Sequence, residues 1–505
     1  MERESWLMLA TLAISLLCYY LANLRRRSGA ARLPPGPMPL PLIGNLLDLR
    51  SGNLHHMLAR LAHIHGPVMR LELGLTTAVV ISSRDAAREA FTRHDRRLAS
   101  RAVPDTARAL GFSERSMIWL PSSDHRWKNL RGVVATHIFS PRSLAAARGV
   151  RERKVRDLVS YLRDHAGREV DVGQVVYGGV LNLVSSALFS ADVVDDVGAE
   201  SAQGLRQLVE ELVELVAKPN VSDLFPFLRP LDLQGRRRHA ARCFEKVFCI
   251  LDAMIERRLA EATSSSSDRL LHGDFLDVLV ELMAEGKIAR DNVTTILFDV
   301  FAAGSDTMAV TVEWAMAELL RNPSAMAKLR AEIRGALGSK ATVEEPDAVG
   351  LPYLQAVVRE AMRLHPVAPV MLPHQAVEDG VVVCGYTVPK GSTVIFNTWA
   401  IMRDPAAWDT PDEFVPERFL VENAAEVIDF RGKKFEFIPF GSGRRACPGM
   451  AMAERVVPLI LASLLHAFDW RLPDGVSAER LDVSEKFTTA NVMAVPLKAV
   501  PVVPT

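Results

Sequence analysis

The chain is poor in cysteine. It has five in 505 residues: Cys18, Cys243, Cys249, Cys384 and Cys447. An odd, scattered set argues against a disulfide framework and suits a reducing compartment. Net charge is lacking as well, since 60 Lys and Arg face 60 Asp and Glu. Nothing therefore points to nucleic acid as a partner. There are no internal repeats, and low complexity is confined to 263–268, where four consecutive serines read as a loop. No flavin-binding fingerprint occurs. Uncharged runs long enough to cross a bilayer are also scarce, and residues 5–24 stand out as one.

What the chain does have is concentrated around Cys447. The stretch Phe440-Gly441-Ser442-Gly443-Arg444-Arg445-Ala446-Cys447-Pro448-Gly449 reads F-x-x-G-x-R-x-C-x-G. Each fixed residue has a task if a haem iron sits on the sulfur. A thiolate ligand pushes electron density onto the iron and favours O–O cleavage. Gly443 permits a tight turn with positive φ and close approach to a porphyrin. Backbone N–H groups and a following helix N-terminus would stabilise the sulfur's negative charge. Arg445 would pair with a haem propionate, Phe440 would pack beside the ligand loop, and Gly449 would let the next helix pass under the ring. Five fixed positions match by accident on the order of once in ten thousand chains of ordinary composition.

Residues 291–320 have the length and apolar content of a long buried helix. Ala303-Gly304-Ser305-Asp306-Thr307 interrupts that pattern at its middle. A mid-helix glycine costs about 1 kcal/mol against alanine. A threonine there can bond back to the Ala303 carbonyl and loosen the helix. An acid in an apolar helix is costly unless paired or hydrated. Three broken rules in one place mark a candidate site, a groove where O₂ is held. Thr307 would hydrogen-bond dioxygen or a water, and Asp306 would relay protons.

These two segments resemble the haem-ligand and oxygen-activation signatures of the cytochrome P-450 superfamily. Met308 departs from the usual hydroxyl residue after the threonine, which affects a secondary water-ordering function. The resemblance covers essentially the whole chain and implies a mainly α fold: a large helical domain with a small β region. It also implies haem b as cofactor. Glu360, Arg363 and, in Pro416-Glu417-Arg418-Phe419, Arg418 resemble the family's buried charge triad, which holds the segment carrying the cysteine. Trp127 and Arg131, four residues apart, and His374 are implied as donors to the propionates. Gln375 stands where similar plant proteins commonly have arginine.

Residues 5–24 carry no charge, and Arg25-Arg26-Arg27 follows at once. A basic cluster after the apolar run favours a retained anchor over a cleaved signal peptide, with that end cytosolic. Arg32-Leu33-Pro34-Pro35-Gly36-Pro37 is a stiff, helix-breaking linker. It resembles the hinge of microsomal family members. The expected organisation is a transmembrane anchor with its basic stop at 1–27, a hinge at 28–40 and one catalytic domain at 41–505. That domain would face the cytosol at the endoplasmic reticulum, in contact with membrane lipid. Electrons would come from NADPH–cytochrome reductase, steered by a basic face of Lys128, Arg131, Lys433, Lys434, Arg444 and Arg445.

Alternation in 67–81 predicts a small sheet, 381–396 a strand pair, and 491–503 terminal strands; 142–364 and 450–468 read mostly as helix. By resemblance, the pocket is lined from 103–119, 296–307, 367–372 and 487–491, with Val300, Ala303, Val367, Val370 and Thr488 among its residues. The lining is mostly small and apolar, with no buried acid or base suited to a charged substrate, so a small apolar substrate is expected. The chain resembles the plant terpenoid-hydroxylating branch, in particular grass hydroxylases of labdane-related diterpene olefins in phytoalexin pathways. A monoterpenol or phenolic is the alternative substrate. A haem-thiolate isomerase or dehydratase, and a non-catalytic haem protein, are the other classes. The Asp306–Thr307 pair speaks against the first of these.

Overall fold

The structure, a computed structural model, describes residues 32–50, 52–193, 200–264, 273–420, 428 and 430–504. The candidate anchor 5–24 with its three arginines lies outside the described residues, as does most of the serine run. The preceding helix extends to Ser264.

Five strands form one sheet: β1 (Val68–Leu73), β2 (Thr76–Ile81), β3 (Ser100–Arg101), β4 (His374–Gln375) and β5 (Thr393–Phe396). Their order is β1-β2-β5-β4-β3, with β2 and β5 parallel and the other neighbours antiparallel. Period-two geometry explains why β2 is buried on both faces. Val79 and Ile81 join Phe91 and Phe396, whereas Ala78 and Val80 join Leu58 and Leu71. The strand pair expected over 381–396 is present as a hairpin, and the rest of the segment is a third strand. Val381–Val383 and Tyr386–Val388 make a hairpin through left-handed Cys384 and Gly385, while β5 leaves it to pair with β2. The turn at Gly391, with φ 83°, redirects the chain between them.

Eight helices frame the site: α1 (Leu54–His65), α2 (Arg84–Arg93), α3 (His125–His137), α4 (Arg148–Asp164), α5 (Val172–Phe189), α6 (Arg290–Arg321), α7 (Pro352–Leu364) and α8 (Met450–Ala467). The 32-residue α6 is about 48 Å long at 1.5 Å per residue. It is apolar nearly all round and so becomes the central element, packed on α5 and α8. By length and composition α5, α6 and α8 could each cross a membrane, yet they form the interior of this domain. Thr295, Ser305, Thr307 and Thr311 return their hydroxyls to the carbonyls four residues earlier, which satisfies the buried Thr295, Ser305 and Thr311 inside the apolar packing.

Near the C-terminus, β6 (Glu485–Phe487) and β7 (Asn491–Met493) form a hairpin. Asn491 N–H donates to the Val367 carbonyl at 2.9 Å, and Trp314 Nε1 to the Asn491 carbonyl at 2.7 Å. These bonds hold the hairpin tip against α6 and the segment after α7. Lys498–Val502 then pairs with Val170–Asp171 and Asp469–Arg471.

Candidate active site

The cysteine loop is closed by its own backbone. Cys447 N–H donates to the Phe440 carbonyl at 2.9 Å, and Ala446 N–H to the Gly443 carbonyl at 3.2 Å. Gly443 has φ 67°, and a methyl group there would collide with Asp95 Oδ1. Asp95 also accepts the Arg444 N–H at 3.2 Å. Two constraints therefore demand glycine at this position. Phe440 packs edge-on against Phe430, with ring centroids 5.5 Å apart. Gly449 is the N-cap of α8, and a methyl group added there would make only ordinary contact with Phe139 and Cys447 Sγ. Burial pushes the Cys447 thiol up; the N–H groups of Gly449 and Met450 and the charge of Arg131 oppose that. The side chain is nevertheless exposed. A group can be both densely surrounded and accessible when its free face opens on an interior cleft.

The same signature recurs on α6. Its flanks are buried, but Ala303 and Thr307, one turn apart, are exposed in mid-helix. Thr307 Oγ1 donates to the Ala303 carbonyl at 2.9 Å. The helix is continuous here, so Gly304 and Thr307 do not interrupt it. Asp306 is half-buried, and Val184 lies in ordinary contact range of a methyl group at Gly304.

A cluster of cations lies beside the loop. Strand pairing sets Arg101 opposite His374. Arg445 reaches back to the Ala99 carbonyl at 2.8 Å, to Met117 at 3.1 Å, to Ile118 at 3.3 Å and to Leu120. Arg131 donates to the Ala446 carbonyl at 2.9 Å. Burial first, then the charges of Arg445 and Arg131, lowers Arg101 to about 9. Burial and Arg131 lower Arg445 to about 10. Burial, Arg101 and Arg445 hold His374 well below the usual histidine range, and its Nδ1 lies 3.0 Å from the Leu98 carbonyl. Asp95 acts favourably on Arg445 but is itself paired with Arg444 at 3.3 Å. A buried cation cluster that repels itself is built for an anion of about two charges. The two carboxylates of a haem would fit it, and Arg131, bonded to the Ala446 carbonyl, places the cradle beside Cys447. Arg101 was not foreseen: a two-residue strand leaves no periodicity to read. Trp127 is buried and donates Nε1–H to the Met117 carbonyl at 3.1 Å, with Arg131 and Arg445 stacked 5.8 and 4.9 Å from its ring.

Behind the loop, Arg363 makes a bidentate pair with Glu360 at 2.7 and 2.9 Å, and Arg418 Nε donates to Glu360 at 3.1 Å. Both arginines also bind carbonyls between Met402 and Glu413. Val415 N–H completes Glu360 at 2.8 Å. All three side chains are buried.

Other expected residues separate. Val300 and Val367 belong to the helical core, and Val367 meets the hairpin that carries Thr488. Thr488 bonds locally to the Ala490 carbonyl. Val370 instead packs with Leu58 and Leu71 beside the sheet, because the chain is already turning into β4. The basic face is smaller than expected. Arg131 and Arg445 turn inward, Arg444 is paired, and Lys128 and Lys433 are exposed. One buried acid does lie beside the expected pocket segments, but it is not placed for a charged substrate. Asp299, one turn before Ala303, is 1% exposed, and burial raises its carboxyl to about 7. Its donors come from Ser116 and Met117, so it serves the protein's own backbone rather than a charged substrate.

An accessible cysteine loop with an anion cradle beside it, and an accessible Ala303–Thr307 face on a buried helix, are the parts of a haem-thiolate oxidoreductase site. Residues 34–494 match the family Cytochrome P450, and the chain belongs to it. The family's cofactor is haem with a cysteine thiolate ligand, and the enzyme is a monooxygenase. Among its relatives the chain is 67% identical to cytochrome P450 76M5 of Oryza sativa subsp. japonica, over 99% of each chain. From the same organism, oryzalexin E synthase is 61% identical over 99% of this chain and 98% of its own. Ent-cassadiene C11-alpha-hydroxylase 1 is 61% identical over 99% of each.

Proposed function

We propose that the chain hydroxylates a polycyclic, labdane-related diterpene olefin in phytoalexin biosynthesis, using O₂ and electrons from NADPH through a separate reductase. The observation that carries this reading is the exposure of Ala303 and Thr307 within an otherwise buried stretch of α6, together with that of Cys447 at the end of its loop. Bound haem supplies the oxygen activation. Cys447 would hold it, Arg101, Arg131 and Arg445 would take its carboxylates, Thr307 would order the oxygen side, and Asp306 would deliver protons; His374, neutral and with its Nδ1–H on the Leu98 carbonyl, has no N–H left for a carboxylate. Thr307's hydroxyl is held by Ala303, which leaves its oxygen lone pairs to accept a bond from water. The apolar setting of Val300 and Val367 and the similarity to an enzyme named for hydroxylating ent-cassadiene support the substrate class.

One surface supports a membrane setting. Met38, Leu40, Leu42 and Leu47 are exposed beside Leu75, Phe227 and Leu231. Gly44 bridges Leu73, and Leu75 N–H donates to the Leu224 carbonyl at 2.9 Å, so these segments adjoin. A contiguous apolar patch of this kind suits a lipid surface. Residues 1–27 would anchor it at the endoplasmic reticulum, with 28–40 as the hinge and 41–505 as the catalytic domain. The test is co-expression with a plant reductase and feeding of diterpene olefins, monoterpenols and phenolics. A diterpene product one oxygen heavier is expected. Oxidation confined to another class would refute the substrate assignment and leave the monooxygenase standing.

A further inference from the structure

We propose that Asp299 is a positioning residue that fastens residues 116–118 to α6 and thereby shapes the cleft above the haem site. Asp299, Ala303 and Thr307 are spaced by four on α6 and share one face. The latter two open onto the cleft, and at Asp299 the same face is covered by a loop. Ser116 Oγ donates to the carboxyl at 2.8 and 2.9 Å, and Met117 N–H donates at 2.9 Å. Ser116 Oγ also accepts Ile118 N–H at 3.1 Å. In residues 116–120 only Ile118 stays partly exposed, as a wall residue facing open space does.

The far edge of this loop grips the anion cradle. The Met117 carbonyl accepts from Trp127 Nε1 and Arg445 Nη1, both at 3.1 Å, and the Leu120 carbonyl accepts from Arg445 Nη2. One short segment thus bridges the oxygen-side helix and the residues that hold the haem carboxylates. Ser116 Oγ–H and Met117 N–H, which donate to the Asp299 carboxyl, are neutral donors, so each one removed slackens the loop. An apolar substrate offers no polar handle, so wall shape decides its orientation. The inference rests on the haem-thiolate reading only for its second readout.

The test uses the full-length protein, with Asp299→Ala, Asp299→Asn and Ser116→Ala. Hydrogen–deuterium exchange reads the amides of Met117 and Ile118. Spectral titration with imidazole and with bulkier 4-phenylimidazole reads cleft shape at the iron. Loss of one such hydrogen bond predicts about tenfold faster exchange in Asp299→Ala, with Asp299→Asn in between. It also predicts a shift in relative affinity toward 4-phenylimidazole. Should Asp299→Ala lose haem, Ser116→Ala, which leaves the carboxyl in place, carries the same expectation at Ile118. Unchanged exchange in haem-bearing variants overturns the proposal. So does faster exchange with unchanged ligand preference, which reduces Asp299 to a structural residue. If the wild type binds no thiolate-ligated haem, the functional reading fails instead, and exchange still reports on the latch.

Discussion

Arg101 shows how burial and charge act on a single side chain. It lies 9% exposed, donates to the Leu372 carbonyl at 2.5 Å and faces Arg445 and Arg131 with no acid of its own among the described contacts. Such a cation destabilises the haem-free protein and is relieved by the carboxylates of the cofactor. Arg101→Gln should therefore raise the melting temperature of haem-free protein while lowering haem retention; equal retention by wild type and variant would contradict the assignment. Asp299 gives a pH prediction. Its carboxyl ionises near 3.8 in an unfolded chain and near 7 in the folded one. Between those values the folded state holds a proton that the unfolded state has lost. Stability thus falls as pH rises through that window, by up to about 4 kcal/mol. Asp299→Asn removes this loss, so the melting-temperature difference, variant minus wild type, should grow from pH 5 to pH 8. A constant difference would speak against it. The sequence revealed Cys447 and Arg445 through a short, chemically specific motif, and Thr307 because its neighbours break local rules. It hid Arg101 and Asp299, whose partners lie far along the chain and appear only once the loop at 116–120 is placed.

Among the elements, α6 was legible because a mostly apolar stretch of that length without a proline has few other fates. The two-residue strands β3 and β4 were not, since two residues carry no period. Neither was the departure of β5 from its hairpin, which a glycine turn decides. The triad belongs to this scale. Glu360 and Arg363 sit on α7, and Arg418 sits on the single turn Pro416–Phe419. Together they bind the carbonyls of the meandering segment at 402–415. Removing one partner of a buried pair costs about 3–5 kcal/mol. Arg363→Ala should accordingly yield protein without bound haem, measured as the haem-to-protein absorbance ratio; normal haem content would count against a supporting function for the triad. The hairpin of β6 and β7 has its own clamp. Glu485 accepts from His55 at 2.9 Å, His56 at 3.0 Å and His365 at 3.0 Å, and its carboxyl is held well below the usual range by those histidines despite burial.

For the whole molecule, two surfaces differ in character. One carries the apolar patch around Leu42 and Phe227. On the cysteine side, Lys433 is exposed and its neighbour Gly432 accepts from Ser442 Oγ at 3.1 Å, which places it against the cysteine loop. Lys433→Glu should lower turnover with a flavoprotein reductase, more at low salt than at high, while substrate binding is spared; unchanged turnover would refute electron delivery at that face. Overall class was legible because the motifs are short, ordered and chemically specific. Substrate was not, because it depends on a few wall positions such as Ile118 that belong to no motif. The central claim is that oxygen is activated between Cys447 and Thr307 and inserted into substrate. The most direct measurement is turnover of a diterpene olefin under ¹⁸O₂ in ordinary water. One labelled oxygen in the product, no product from Cys447→Ala, and NADPH consumption running ahead of product in Thr307→Ala are the predicted results. Product carrying oxygen only from water, or formed without O₂, would contradict the account.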